Sequence, residues 1–222
     1  MRGIRLSTAV ALIVATAALV ACAPGATVER EPPFNARWTG PIETVALVMS
    51  PPSRALQPLA TSAYNLTSIE FARHPYARQR FDVVERAALD QVLDEIGLGQ
   101  SGLVDTRTAP QLGRLLGARY VIMFDVVNAS VRPGGLRGLD LGGFVVGGGW
   151  ADLDVTIAVR LVDVETGRVR ANGSGRVAET IMTGLSIEGL DFGSPATREL
   201  VLNLVPEAAM RALNDLFRQI AS

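Results

Sequence analysis

Alternation of apolar and polar positions begins at Glu43. In ETVALVM (43–49), Val45, Leu47 and Met49 recur every second residue, the period of a half-buried strand, and Pro51-Pro52 stops it. Residues 56–72 carry Leu59, Ala63, Leu66 and Glu70 at helical spacing, a weak stripe that predicts a helix. RFDVVERAALDQVLDEIGL (80–98) has the clearest pattern: Phe81 to Val84 predicts a short strand. Ala88, Leu89, Val92, Leu93 and Ile96 then mark one face of a helix closed by Gly97 and Gly99. A further helix is expected from Thr106 or Thr108, with Pro110 in its first turn, Leu112, Leu115 and Leu116 as its buried stripe and Gly117 at its end.

YVIMFDVVNASV (120–131) is apolar on both faces, as a central strand is. DLDVTIAVRLVDV (152–164) alternates: Leu153, Val155, Ile157, Val159 and Leu161 face one way, and Asp152, Asp154, Thr156 and Arg160 the other. Glu165-Thr166-Gly167 reads as a tight turn with glycine at positive φ, and RVRANGSGRVAETIM (168–182) returns as the second strand of a hairpin. Ser194-Pro195 opens a last helix whose Val205, Ala209, Leu213, Phe217 and Ile220 face the sheet, with Pro206 able to move its start later. These elements predict an α/β fold, a mixed β-sheet with helices packed on it, in one domain without internal repeats.

The chain before residue 42 follows other rules. Arg2 and Arg5 precede the apolar run AVALIVATAALVAC, which reads as a signal peptide over residues 1–21 and is short for a permanent span. Its end, Leu19-Val20-Ala21-Cys22, resembles the lipobox of bacterial lipoproteins, so Cys22 is the expected lipidation site and first mature residue. Cys22 is the one cysteine of the chain, which fits an anchor and not a disulfide. Ala23 stands where some bacteria place an Asp that retains lipoproteins at the inner membrane, so the outer membrane, periplasmic face, is expected. Residues 22–41 read as a lipid-anchored flexible tether, with Trp38 placed to pack on the domain edge, and residues 42–222 as the periplasmic domain.

Composition narrows the chemistry. All 21 basic residues are Arg, so Schiff-base chemistry and a phosphate-loop lysine are excluded. A net charge of −1 with no arginine run gives no basic face, and no nucleic-acid partner is expected. One His and one Cys cannot build a zinc site of the usual ligands. His74, in FARHPYAR, reads as a solvated or loop-bracing residue of a polar loop. Asp152 and Asp154 share one strand face and read as solubilising, not as an acid–base pair. The glycine run GGLRGLDLGGFVVGGGW (134–150) is followed by a strand and not a helix, which argues against a phosphate cradle. It reads as a flexible hairpin tip. No enzyme, catalytic residue, cofactor or metal is expected, and Cys22 is the single assigned site.

Phe81-x-Val83-Val84-Glu85-Arg86-x-x-Leu89, then Ser101-Gly102, then Leu112-Gly113-x-Leu115-x-Gly117-Ala118-x-Tyr120-Val121-Ile122, then Arg160-Leu161-Val162-Asp163-Val164-x-Thr166-Gly167 together resemble the CsgG/HfaB family. These are bacterial lipoproteins of the curli assembly/transport and holdfast-anchor type. The resemblance spans roughly residues 42–220 and implies a CsgG-like α/β sandwich with a long Gly-rich β-hairpin. It implies a non-enzymatic outer-membrane lipoprotein that exports or anchors extracellular fibres or adhesins, as a homo-oligomer with secreted or cell-envelope protein partners. In a pore, each subunit would add two hairpins to one barrel, the second here at 169–194. Few aromatics flank the run, and Gly173, Gly175, Gly184, Gly189 and Gly193 interrupt that second hairpin, which favours a scaffold over a complete pore. Arg86 reads as a brace for the sheet edge. The alternative function is a lipid-tethered periplasmic module that activates peptidoglycan synthesis.

Overall fold

Strand β1 (Glu43–Met49) lies between β2 (Phe81–Val83) and β3 (Tyr120–Pro133) and runs parallel to both. The computed structural model describes residues 29–95, 104–134, 137–140, 145–183 and 194–221. Strand β3 pairs antiparallel with β5 (Val145–Asp163), which pairs antiparallel with β6 (Val169–Thr183) on its other side. The short β4 (Arg137–Asp140) continues along β5 where β3 stops. The mixed six-stranded sheet is therefore ordered β2-β1-β3-β5, with β6 beyond β5.

Helices cover the sheet unequally, and the strand patterns record this. On one face Val45, Leu47, Ile122, Phe124, Val155, Ile157 and Val159 pack under α1 (Gln57–Arg73) and α6 (Val205–Ile220). On the other, Ala46, Val48, Val121, Met123 and Val162 meet α3 (Arg86–Glu95) and α4 (Ala109–Leu115). Residues 120–124 are thus buried on both sides. Further along β3 a bulge leaves Val127 unpaired and 55% exposed, which shifts the alternation by one residue and keeps Ala129 buried.

Several expectations change in physical detail. The last helix is two, α5 (Pro195–Leu202) and α6, because Pro206 lacks an N–H and its ring would clash with the Leu202 carbonyl in a continuous helix. Helix α4 starts directly after Thr108, as expected, and the Asp105 carboxylate closes the turn ahead of it by accepting from the N–H groups of Arg107 (2.9 Å) and Thr108 (2.8 Å). Leu115 points outward, 54% exposed, because the buried stripe of α4 is Ala109, Leu112 and Gly113. In α1 the buried positions are Leu59, Ala60, Ala63, Tyr64, Thr67 and Phe71, so Glu70 is not part of the stripe. Gly97 and Gly99, assigned to the end of α3, lie outside the described residues. The β5–β6 turn is as expected: Gly167 has φ +66° and the Asp163 carboxylate accepts from the Thr166 N–H at 2.9 Å.

The glycines of β6 do not interrupt a pattern; they receive a helix. A Cβ on Gly173 would stand 2.7 Å from the Leu216 nitrogen, and one on Gly175 would stand 2.5 Å from the Ala212 nitrogen. Helix α6 meets them with Ala208 and Ala212, both fully buried. At an open strand position Gly→Ala is stabilising by about 0.5–1 kcal/mol. Here the sign reverses. Gly173→Ala and Gly175→Ala are each expected to cost about 1–3 kcal/mol through overpacking, read as a lower urea midpoint. Gly167→Val, at a left-handed position, should cost about 1–3 kcal/mol by strain alone. An unchanged midpoint in either glycine of β6 would place α6 farther from the strand.

Candidate functional site

The glycine run is largely strand. Hairpin pairing continues through it, from Arg137↔Gly148 to Asp140↔Val145, so the flexible tip expected over 134–149 shrinks to a connection at 141–144, outside the described residues. A backbone ladder needs no side chains, and glycine supports it at an entropic cost. Strand β5 spans 19 residues, about 60 Å at 3.3 Å per residue. Among the described residues β6 accompanies it to Gly149↔Thr183, and the last four pairs of β5 are made with β4 in an arm beyond β3. At the base of the arm the Gly134 N–H donates to the Trp150 carbonyl (2.7 Å), and the Trp150 indole lies over Gly134. Over 169–194 the described residues give one strand, β6, and the remainder of the second expected hairpin lies outside them.

The face of β5 and β6 away from α6 carries a polar ladder. Asp154 accepts from Arg176 Nε (3.0 Å) and from Asn128 Nδ2 (3.3 Å), and Asp152 accepts from the Thr180 hydroxyl (2.6 Å). The two aspartates therefore each have cross-strand partners and do not face one another as a reacting pair. Asp125 pairs with Arg160 at 3.2 Å; burial pushes its carboxyl up, and the guanidinium opposes part of that rise. The outer edge of β6 is covered as well. Arg211, Asp215 and Gln219, spaced by four on α6, bond the Arg176 carbonyl, the Ser174 N–H and both backbone groups of Asn172.

His74 overturns the polar-loop expectation. It is fully buried at the N-terminus of α2 (Pro75–Arg80), where Nδ1 accepts from the Tyr76 N–H (3.3 Å) and Nε2 meets Asn214 Oδ1 (3.1 Å). Because Nδ1 accepts, the proton sits on Nε2 and donates to Asn214. Burial pushes the imidazole below the usual histidine range, and the Asn214 bond restores only part of it. Phe217 packs on its ring, 4.6 Å between centroids.

The same Asn214 holds the segment read as tether. Its Oδ1 accepts from the Phe34 N–H (2.6 Å), and its Nδ2 donates to Glu31 Oε1 and the Pro32 carbonyl (3.0 Å each). Arg218 donates to Glu31 (2.7 Å), and the Glu31 N–H donates to Glu207 (2.9 Å). Burial pushes the Glu31 carboxyl up, but the Arg218 and Asn214 bonds outweigh it and hold it below the usual carboxylate range. Phe34 stacks edge-on against Tyr76, and Trp38 lies under the Arg80 guanidinium (4.2 Å), which also bonds Glu43 (2.9 Å) and the Ile220 carbonyl (2.9 Å). Residues 29–38 are thus a strap on α6 and α2 and not free tether, because a buried asparagine needs partners and the strap's backbone supplies them. The residues that could have signalled this are Asn214 within an apolar helix stripe and two aromatics, Phe34 and Trp38, in a supposed linker. Of these, only Trp38 is expected at the domain edge from the sequence alone. Cys22 lies outside the described residues, as does the Arg86 side chain, though its backbone opens α3.

Among the described residues, no group of three or more His, Cys, Asp or Glu is placed to hold a metal ion, and no helix is long and apolar enough to cross a membrane.

The chain matches the family described as curli production assembly/transport component CsgG over residues 76–222. No curated protein sequence matches it. Among solved structures it is similar to the LpoB C-terminal domain from Salmonella enterica, at 19% identity and a TM-score of 0.41, over 63% of this chain and 86% of that one. It is also similar to the PelC dodecamer from Paraburkholderia phytofirmans, at 17% identity and 0.35, over 84% and 97%. A third is a neuraminyllactose-binding hemagglutinin homologue from Helicobacter pylori, at 11% identity and 0.41, over 81% and 86%.

The buried histidine gives a pH dependence of definite sign. Unfolded His74 titrates near the ordinary value of about 6.5, and the folded imidazole titrates lower. Its neutral-form stability is therefore complete above that value and is lost as pH falls toward the folded pKa, since only the unfolded chain then takes up the proton. The urea midpoint should drop between pH 7.5 and pH 5.5. His74→Asn, which keeps a cap-forming side chain, should flatten that drop. An equal drop in both would assign the acid sensitivity to another group.

Proposed function

The chain belongs to the CsgG family, and from that premise we propose that it is a non-enzymatic, lipid-anchored component of the bacterial outer membrane. It faces the periplasm and assembles with copies of itself to export or anchor extracellular fibres or adhesins. The observation that carries this reading is the family match together with the β4–β5 hairpin, which continues the sheet past the end of β3. A hairpin of this kind gains from neighbouring strands, which copies of the same hairpin would supply. In the polar ladder on β5 and β6 the carboxylates of Asp125, Asp152 and Asp154 are each bonded to a cross-strand partner. Anchoring is assigned to Cys22 at the end of the LVAC box.

Two measurements test the reading separately. Cys22→Ser should move the mature protein from the outer-membrane fraction to the soluble periplasmic fraction; salt-resistant sedimentation of the variant would assign the anchor elsewhere. Replacing residues 134–149 by Asn-Gly removes β4 and the end of β5 but should leave the urea midpoint near that of the parent, because the body of the sheet lies before Pro133↔Ala151, the last pair of β3 with β5. Secretion should decline with a scaffold arm, and both secretion and bilayer conductance should vanish with a barrel-forming one. A folded, lipidated variant with full secretion would remove the arm from the function and leave the tethered-module alternative.

A further inference from the structure

Between α1 and α5 lies an open groove of about 490 Å³ lined by Arg30, Ser62, Leu66, Arg198, Glu199 and Leu202. Most described arginines near carboxylates are committed: Arg80 to Glu43, Arg160 to Asp125, Arg176 to Asp154, Arg211 to Glu207 and Arg218 to Glu31. Arg30 and Arg198 have no ion-pair partner among the described residues, yet both line this groove. Glu199 offsets one charge and leaves an excess of one positive charge, beside the half-buried apolar side chains of Leu66 and Leu202. Guanidinium groups suit a phosphate oxygen pair, and apolar carbon beside them suits the glycerol and upper acyl chain of a lipid.

The strap supplies the location. Arg211 donates to the Glu29 carbonyl (3.2 Å) and Asn214 and Arg218 hold Glu31, so the strap fixes Arg30 beside α6. From Cys22 to Glu29 the backbone can span at most about 24 Å, whereas a tether free to residue 41 would reach more than about 60 Å. The docked strap therefore confines the groove to the neighbourhood of the anchored surface. At that range tethering raises the effective concentration of headgroups, so even a weak site is occupied.

We propose that this groove binds the phosphate-bearing headgroup of an anionic lipid in the membrane that holds Cys22. The location argument rests on the Cys22 reading; the groove's chemistry does not. The test uses the mature chain carrying Cys22→Ser, sedimented at low salt with vesicles of phosphatidylglycerol or phosphatidylcholine. Binding should require phosphatidylglycerol. The double variant Arg30→Gln/Arg198→Gln should bind it about tenfold or more weakly, and Arg168→Gln, on the exposed β5–β6 turn, should bind as the parent. Unchanged urea midpoints establish that the variants fold. Equal binding by parent and double variant, or equal binding to phosphatidylcholine, overturns the proposal. Protection of the groove by free glycerol phosphate without vesicle binding also overturns it, in favour of a soluble ligand. Since the assay contains no lipidated protein, failure of the Cys22 anchor would appear only in the fractionation experiment.

Discussion

Helix α6 rests on strand β6 backbone against backbone. Gly173 and Gly175 leave no side chain between them, and Ala208 and Ala212 complete the approach from the helix. Much of the domain is positioned by this contact. It brings Arg211, Asp215 and Gln219 within hydrogen-bonding reach of the β6 edge, where a more distant helix would leave those backbone groups exposed. It also aims Leu213, Leu216 and Phe217 into the core, next to Phe71, Tyr76 and Phe81. On its remaining side α6 offers Glu207, Asn214 and Arg218 to the strap. One helix thus seals an edge, fills a core and fixes the course of the N-terminal chain.

Strand β5 joins two environments along its length. From Ala151 to Asp163 it has neighbours on both sides and buries alternate side chains. From Val145 to Gly148 its partner among the described residues is β4. The change falls near Trp150, whose indole over Gly134 marks where the sheet becomes an arm. Along residues 172–176 the outer edge of β6 is bonded by α6, so the body resists edge-to-edge pairing there.

The strands were legible because burial on one face leaves a period-two record in a single segment, as in residues 152–164. The Gly167 turn was legible for an equally local reason, since positive φ selects glycine. Pairwise facts were not. Gly173 and Gly175 look like interruptions until the helix opposite them is known, because a missing side chain does not say what occupies its place. His74 looked solvated because its neighbours Arg73, Pro75 and Arg78 are polar or turn-forming, yet its partner is 140 residues away. Leu115 was assigned to the core from spacing alone, and Gly113 took that role because only a glycine lets α4 lie against Val121 and Val164. The strap was missed for the same reason: its hydrogen bonds to α6 span some 180 residues and leave no period in either segment.

The family match begins at residue 76, but the structural unit does not. Strand β1 lies between β2 and β3, and without it those two strands, both paired to it in parallel, lose their common neighbour. Tyr64 of α1 donates to the Leu47 carbonyl (2.8 Å) within the core, and Phe71 joins β2 and β3 through Phe81 and Phe124. The strap then joins α6, near the C-terminal end, to α2. Arg80 closes the circuit, bonding β1 through Glu43, α6 through Ile220 and the strap through Trp38. The strap and the C-terminal helix therefore meet at one buried cation. Tension applied at Glu29 would meet α6 first, at Arg211, Asn214 and Arg218, and only then the Arg80 junction.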